Sequence, residues 1–520
     1  MQNGNHLTGK ILLLLIGVIV LMMLLYGKKD KREELPDNQP EDLTVQEAEP
    51  KPERPVTDYD LKTGSTIRVV LKTTDYKNIF HENVILTSDS DVSVRAGALR
   101  KTIPAGAELS LNSLLSAYEE LTGGETEVPN QAVFQAAEDG TIKILTIGRK
   151  QGTPAYRGSL EIRKTDRGYV IINELPIEEY LYSVVTSEMP SDYPAEALKA
   201  QAVCARSYAV RQMQDAAYKE YGADVDDSSG YQVYNNVKES ENAVKAVQDT
   251  HGRVVLYQGE LACTYYFSTS CGLTTNDEVW RDENGIVSEQ KPYLTEKAIA
   301  ADTGAEEGSV SETDAAAETD VTTEEGFSAY IQSVNEQDYE KEEPWYRWNM
   351  SFYPSQLTKL KDRLAERFKI NPHLILTQSQ EGFASELPKE LEDLTDIQVL
   401  HRNAGGLIDE VLLTFGEEEI KVLTEYNIRY VLAAQGAVIT KQDGSIVPCD
   451  ELLPSAYFTM ELKRAESNGI LEEIVLSGGG FGHGAGMSQN GAKHMALLNM
   501  DYMDILTFFY EGTTIGAIYD

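Results

Sequence analysis

The sequence predicts an α+β fold in which mixed strands surround an alanine-rich helix, preceded by a small β-rich domain and an N-terminal transmembrane helix. Three observations predict it. Short β-branched runs recur between Gly, Asp and Ser turns, Pro194 opens a long stretch of strong helix formers, and Ile11 to Leu25 is an apolar run interrupted only by Gly17.

The elements follow in chain order. Residues 1–27 read as a membrane anchor, because the apolar run is followed by Gly27-Lys28-Lys29 and no small-residue cleavage site. Lys28, Lys29, Lys31 and Arg32 outnumber Lys10 and would by themselves place the body inside. Residues 28–62 carry Pro36, Pro40, Pro50, Pro52 and Pro55 among acidic residues, so they read as a linker too poor in apolar groups to offset its own ordering entropy. Thr66 to Val70, Val84 to Thr87 and Thr141 to Ile147 predict strands and make 63–150 the β-rich domain.

The domain over 151–520 continues with strands at Leu160–Arg163 and Tyr169–Ile172. From Pro194 to Met213 proline in the first turn and repeated Ala predict a helix that neighbours can approach closely. A further helix is expected near 354–368, and strands at Glu410–Phe415, Glu419–Leu423 and Leu471–Leu476. Between them, Glu296 to Glu343 holds 15 acidic residues and two lysines, a net of −13, and reads as a disordered acidic insertion, most clearly over 300–325.

Charge narrows the function classes. With 46 Lys and Arg against 84 Asp and Glu the chain carries −38, a surface that repels phosphate backbones, so nucleic acid is not an expected partner. Four cysteines, Cys204, Cys263, Cys271 and Cys449, allow three pairings and choose none, leaving one disulfide or free thiols open. Cys263 and Cys271 stand eight apart, without the close spacing of a zinc knuckle, so no cofactor is expected and zinc is disfavoured.

Three stretches could carry chemistry. Glu188, in the apolar-flanked turn Val184-Val185 to Met189-Pro190, could keep its proton near neutral pH and act as an acid. On spacing alone, a solvated carboxylate near a helix start is the plainer reading. Arg206 on the alanine-rich helix could orient a carboxylate or a sugar oxygen, or be a surface charge. Ser268-Thr269-Ser270 could supply a nucleophile to His483, but no Gly-x-Ser-x-Gly elbow is present. Ser477 to Ala492 packs seven glycines around His483, Ser488 and Gln489, letting main chain approach a hydroxyl-rich or amide-rich ligand; a phosphate loop would need a terminal Gly-Lys-Ser/Thr. A tight turn with a satisfied histidine is the alternative.

Several motifs together resemble the SpoIID/LytB family of stage II sporulation protein D and amidase-enhancer proteins. They are Ile172-Asn173-Glu174-Leu175-Pro176, Ser187-Glu188-Met189-Pro190, Glu196 through Ala209, Ser268-Thr269-Ser270, Pro344-Trp345-Tyr346-Arg347-Trp348 and Gly482 through Gln489, in order over about 155–515. The resemblance implies a SpoIID-type domain and a lytic transglycosylase acting on peptidoglycan glycan strands, preferentially those whose stem peptides an amidase has removed. It implies Glu188 as catalytic acid and base and Arg206 as needed for activity, with Gln201, Tyr208, Ser268, Thr269, Ser270, His483, Ser488 and Gln489 binding substrate. It implies a body on the extracytoplasmic side of the cell membrane, held by a single pass, against the charge rule. Two positions depart from the family: Phe267 stands where some members have a zinc-ligating histidine, and Asn490 where an aromatic residue is usual. A non-catalytic wall-binding protein that stimulates an N-acetylmuramoyl-L-alanine amidase is the alternative, and such an amidase is a possible partner in either case.

Overall fold

A computed structural model of the chain describes residues 57–519, apart from 60–64, 115, 117–129, 237, 288–289, 302–319 and 389. The anchor expected over 1–27 lies outside the described residues, as does the linker except for Thr57–Tyr59. Among the described residues no helix is long and apolar enough to cross a membrane.

The central sheet has seven strands in the order Val225–Asp226, Thr66–Leu71, Gly168–Pro176, Ser159–Thr165, Gln131–Ala136, Val92–Ala96 and Leu99–Ile103. All neighbours are antiparallel except the first pair. Its register places Ile67, Val69 and Leu71 on one buried face with Ile171 and Leu175, the alternation a half-buried strand requires. Strands from both sides of the boundary expected at 150/151 share this sheet. The described residues from Thr57 onward group as one compact unit.

Helix α1 (Ile177–Glu188) leaves the last residue of the long strand directly, and α2 (Ala195–Asp215) starts after Pro194. Ala197, Ala200, Ala202, Ala205 and Ala209 are buried, so α2 sits closely among α1, α3 (Glu241–Asp249) and the strand Arg253–Tyr257. The helix stops at Ala216, whose φ of 46° is left-handed and whose N–H donates to the Gln212 carbonyl.

A second core lies between two five-stranded sheets, one running 446–448, 438–441, 348–352, 471–478 and 458–464, the other 382–384, 375–379, 418–423, 408–415 and 394–402. The acidic stretch is folded on both sides of 302–319. Ile299 is buried, and α4 (Glu324–Gln332) buries Phe327, Tyr330 and Ile331 at the spacing of one helical face. Composition misleads here because the charges at Asp338, Glu340 and Glu343 are themselves buried and hydrogen-bonded. The helix expected near 354–368 begins later, as α5 (Leu360–Ile370) after a short turn at Pro354–Gln356.

The chain then returns to the first core. α6 (Glu425–Val431) packs in the second core, whereas α7 (Gln489–Leu497) and α8 (Tyr502–Phe509) pack on α2. A two-stranded parallel pair, Tyr266–Phe267 with Met487–Ser488, joins the serine-rich and glycine-rich stretches.

Candidate active site

Glu188 is the last residue of α1, not part of a loop before α2. The run Ile177 to Ser187 is helical because its apolar residues, Ile177, Tyr180, Leu181, Val184 and Val185, form one buried face. Its side chain is partly buried and takes two hydrogen bonds on Oε1, from the Val233 N–H at 2.7 Å and the Tyr266 O–H at 3.2 Å. Tyr266 in turn accepts from Gln232 Nε2 at 3.2 Å, and Gln232 is anchored to the Ala205 carbonyl of α2. Burial outweighs these two donors and pushes the Glu188 carboxyl up to about 7.

Two cavities meet at Glu188. One, of about 330 Å³, is lined by Tyr208, Tyr231, Val233, Tyr265, Tyr266, Trp280 and His483 as well as Glu188. The other, of about 780 Å³, runs along Thr186 to Ser191 and Lys238 to Asn242. The first has an aromatic wall: the Tyr265 and Trp280 rings are 4.2 Å apart between centroids, and Trp280 and His483 5.2 Å.

His483 lies in this wall as a fixed neutral ring. Nδ1 accepts from the Ala485 N–H, so Nε2 carries the proton and donates to the Tyr266 carbonyl at 2.9 Å. Burial holds its pKa down at about 4. Its hydrogen bond positions the residue that bonds Glu188, and among the described residues no serine hydroxyl is bonded to either ring nitrogen.

The other expected site residues divide into two groups. Tyr208 lines the cavity, and Ser268 is half-buried with its Oγ 3.2 Å from Thr269 Oγ1. Gln489, Gln201, Thr269, Ser270 and Ser488 are buried behind the surface. Gln489 Nε2 donates to the main-chain carbonyl of Glu188 at 3.1 Å and to Gln201 Oε1 at 3.3 Å, supplying a partner that a helix C-terminus otherwise lacks. Ser488 caps α7 by accepting from the Gly491 N–H. These residues are buried behind the wall and hold it.

Arg206 is not in the cleft. It is fully buried on another side of α2, where Nε and Nη2 make a two-pronged pair with Glu178 at 2.8 and 2.6 Å and the guanidinium also donates to the Arg253 and Val247 carbonyls. Its small neighbours Ala202, Ala205 and Ala209 are buried with it. Its place makes it a positioning residue that fastens α1, and hence Glu188, to α2.

Sequence reasoning missed Glu340, Gln232, Tyr266 and Trp280, which stand alone in loops or short strands with no spacing to mark them. Glu340 is fully buried and accepts from the Ser270 N–H and Oγ–H at 2.7 and 2.8 Å, beneath the two loops joined by the parallel strand pair. Burial raises its carboxyl to about 7, above about 4.5 in an open chain. Between those values the folded state holds a proton that the unfolded state has lost, so stability falls as pH rises. Glu340→Gln, whose amide fits the same hydroxyls, should therefore flatten this dependence and melt above the parent at pH 8, as compared by thermal unfolding at pH 5 and pH 8.

Glycine density has a specific cause at Gly486, where φ is 78° and a Cβ would stand 2.1 Å from the Tyr265 carbonyl oxygen. Gly486→Ala should cost at least about 2 kcal/mol of unfolding free energy in denaturant titration, because strain and a backbone clash add.

The four cysteines are buried and unpaired. The residues around 263–271 do not fit a zinc ion: Phe267 offers no ligand atom, and among the described residues no three His, Cys, Asp or Glu side chains converge.

Fold and site define an α+β protein whose cleft presents one partly buried, proton-retaining carboxyl beside an aromatic wall. Residues 165–257 match the family model SpoIID, stage II sporulation protein. The chain is 27% identical to stage II sporulation protein D of Bacillus subtilis over 359 residues, covering 66% of this chain and 76% of the relative. It is 28% identical to an uncharacterised protein of Brachyspira hyodysenteriae, covering 69% and 72%. With the amidase enhancer of Bacillus subtilis it shares 27% identity over 65% of its own length but only 40% of that protein's. Residues 165–257 therefore carry a SpoIID domain, and the similarity to stage II sporulation protein D and to the amidase enhancer supports the SpoIID family.

Proposed function

We propose that the protein is a lytic transglycosylase of peptidoglycan glycan strands, favouring strands stripped of stem peptides, and that an N-terminal anchor holds it on the extracytoplasmic face of the cell membrane. The observation that carries the reading is the position of Glu188: a carboxyl poised at about 7 where two cavities meet, so that a linear polymer can cross it.

Protonated Glu188 gives its proton to the oxygen bridging N-acetylmuramic acid and N-acetylglucosamine as the C1–O bond breaks. The muramic 6-hydroxyl oxygen bonds to C1 and yields its proton to the Glu188 carboxylate, which is thereby reset. The product ends in a 1,6-anhydro sugar. An intramolecular nucleophile needs no water and no second carboxylate, so the proposed reaction calls for no cofactor. Tyr208, Tyr231 and Trp280 offer ring faces and hydroxyls to the sugars.

A second reading is favoured by the similarity to an amidase enhancer at the same 27% identity: a glycan-binding protein that stimulates a separate amidase. Mass spectrometry of intact and amidase-stripped peptidoglycan incubated with the purified protein separates the two. Anhydro-muramic products that depend on Glu188 support the enzyme; glycan binding without products supports the enhancer.

A further inference from the structure

Trp345 and Phe481 form an aromatic pair that the chemistry at Glu188 does not use. Their ring centroids are 4.9 Å apart, Phe481 is 39% exposed, and Trp345 is half-buried with Lys441 Nζ 5.2 Å from its ring centre. A phenylalanine displayed in a glycine-rich loop gains little from the core. It is nevertheless held firmly: its N–H and carbonyl both pair with Thr269, and the Gly480 N–H bonds the Trp345 carbonyl at 2.7 Å.

The pair stands close in the chain to a cleft residue. Phe481 is two residues, roughly 7 Å of chain, from His483, which lines the cavity beside Glu188. Phe267, two residues before Thr269, has its ring 5.7 Å from His483. Pyranose rings present C–H faces that carry partial positive charge and lie well on the negative face of an aromatic ring. Lys441 adds a cation where a muramic lactyl group, freed of its peptide, would carry a carboxylate.

The geometry points to the Trp345–Phe481 pair as a stacking platform for a sugar ring of the same strand, outside the cavity that holds the scissile bond. This inference rests on the glycan reading proposed above. It makes affinity depend on strand length, because a tetrasaccharide filling the cavities would not reach the platform while a longer strand would.

The test compares binding of a peptide-free tetrasaccharide and of long peptide-free glycan strands to the full chain carrying Glu188→Gln, which prevents turnover. The long strand should bind about tenfold more tightly, and adding Phe481→Ala should erase that ratio. Trp345→Ala should do the same, with Trp345→Phe restoring most of it; Phe481, being exposed, guards against a folding defect at Trp345. An unchanged ratio in Phe481→Ala and Trp345→Ala overturns the platform and leaves the lytic reading intact. A ratio lost in the variants, with no anhydro products from the chain that retains Glu188, sinks the lytic reading and leaves the platform standing. Absence of any glycan binding overturns both.

Discussion

Glu188→Gln is expected to abolish anhydro-product formation, by a factor of at least about 10³, while leaving the protein folded. The amide keeps the size of the carboxyl but can neither give a proton to a leaving oxygen nor take one from a hydroxyl. Burial raises the carboxyl to about 7, so in the unliganded protein the acid form is lost as pH rises through that value. kcat/KM should therefore fall on the alkaline side with an apparent pKa near 7. Tyr266→Phe removes a donor to the charged form and should move that limb upward. The same burial has a cost in stability. Because the folded pKa is raised above about 4.5, Glu188 weakens the fold as pH rises from there to 7, and Glu188→Gln should be more stable than the parent at pH 8, by about 1–3 kcal/mol. A variant that loses stability and activity together, or an activity that persists in Glu188→Gln, would remove Glu188 from the mechanism.

The parts of this site legible in the sequence are those with local signatures. Pro194 followed by helix formers marked α2, and the glycine-rich run marked a loop of positive φ, whose close approach is to the Tyr265 main chain where the sequence suggested a ligand. Glu188 stood out through its apolar flanks, yet its place at the end of a helix did not, since Pro190 and Pro194 drew attention to the helix that follows. What decides its proton affinity comes from far away: the Val233 amide and Tyr266 lie 45 and 78 residues on. No spacing rule connects them. The acidic stretch failed for a different reason, because composition counts charges without seeing that Ser270 receives Glu340 and that Lys493 and His494 receive Glu343. That strands on both sides of 150/151 share one sheet was not legible, because a strand reads the same whichever sheet it joins.

Arg206→Ala is expected to be the most destabilising of these substitutions, at about 3–5 kcal/mol, since it strands the Glu178 carboxylate in a buried site and leaves the Arg253 and Val247 carbonyls short of a donor. The Gly252 N–H, at 3.3 Å from Glu178 Oε1, cannot replace two short bonds from a guanidinium. Arg206→Lys should recover only part of the loss, because an ammonium cannot span both carboxylate oxygens and two carbonyls at once. Glu178→Gln combined with Arg206→Met, which removes both charges, should be more stable than Arg206→Ala alone. If Arg206 acts only by holding α1 against α2, lost activity in Arg206→Lys should track lost folded protein in parallel melting curves, and the alkaline limb near 7 set by Glu188 should stay where it is in the parent. An Arg206→Lys protein that melts with the parent yet fails to cleave would instead require the guanidinium to reach the substrate, and the cleft would then have to reorganise around α2 when a strand binds.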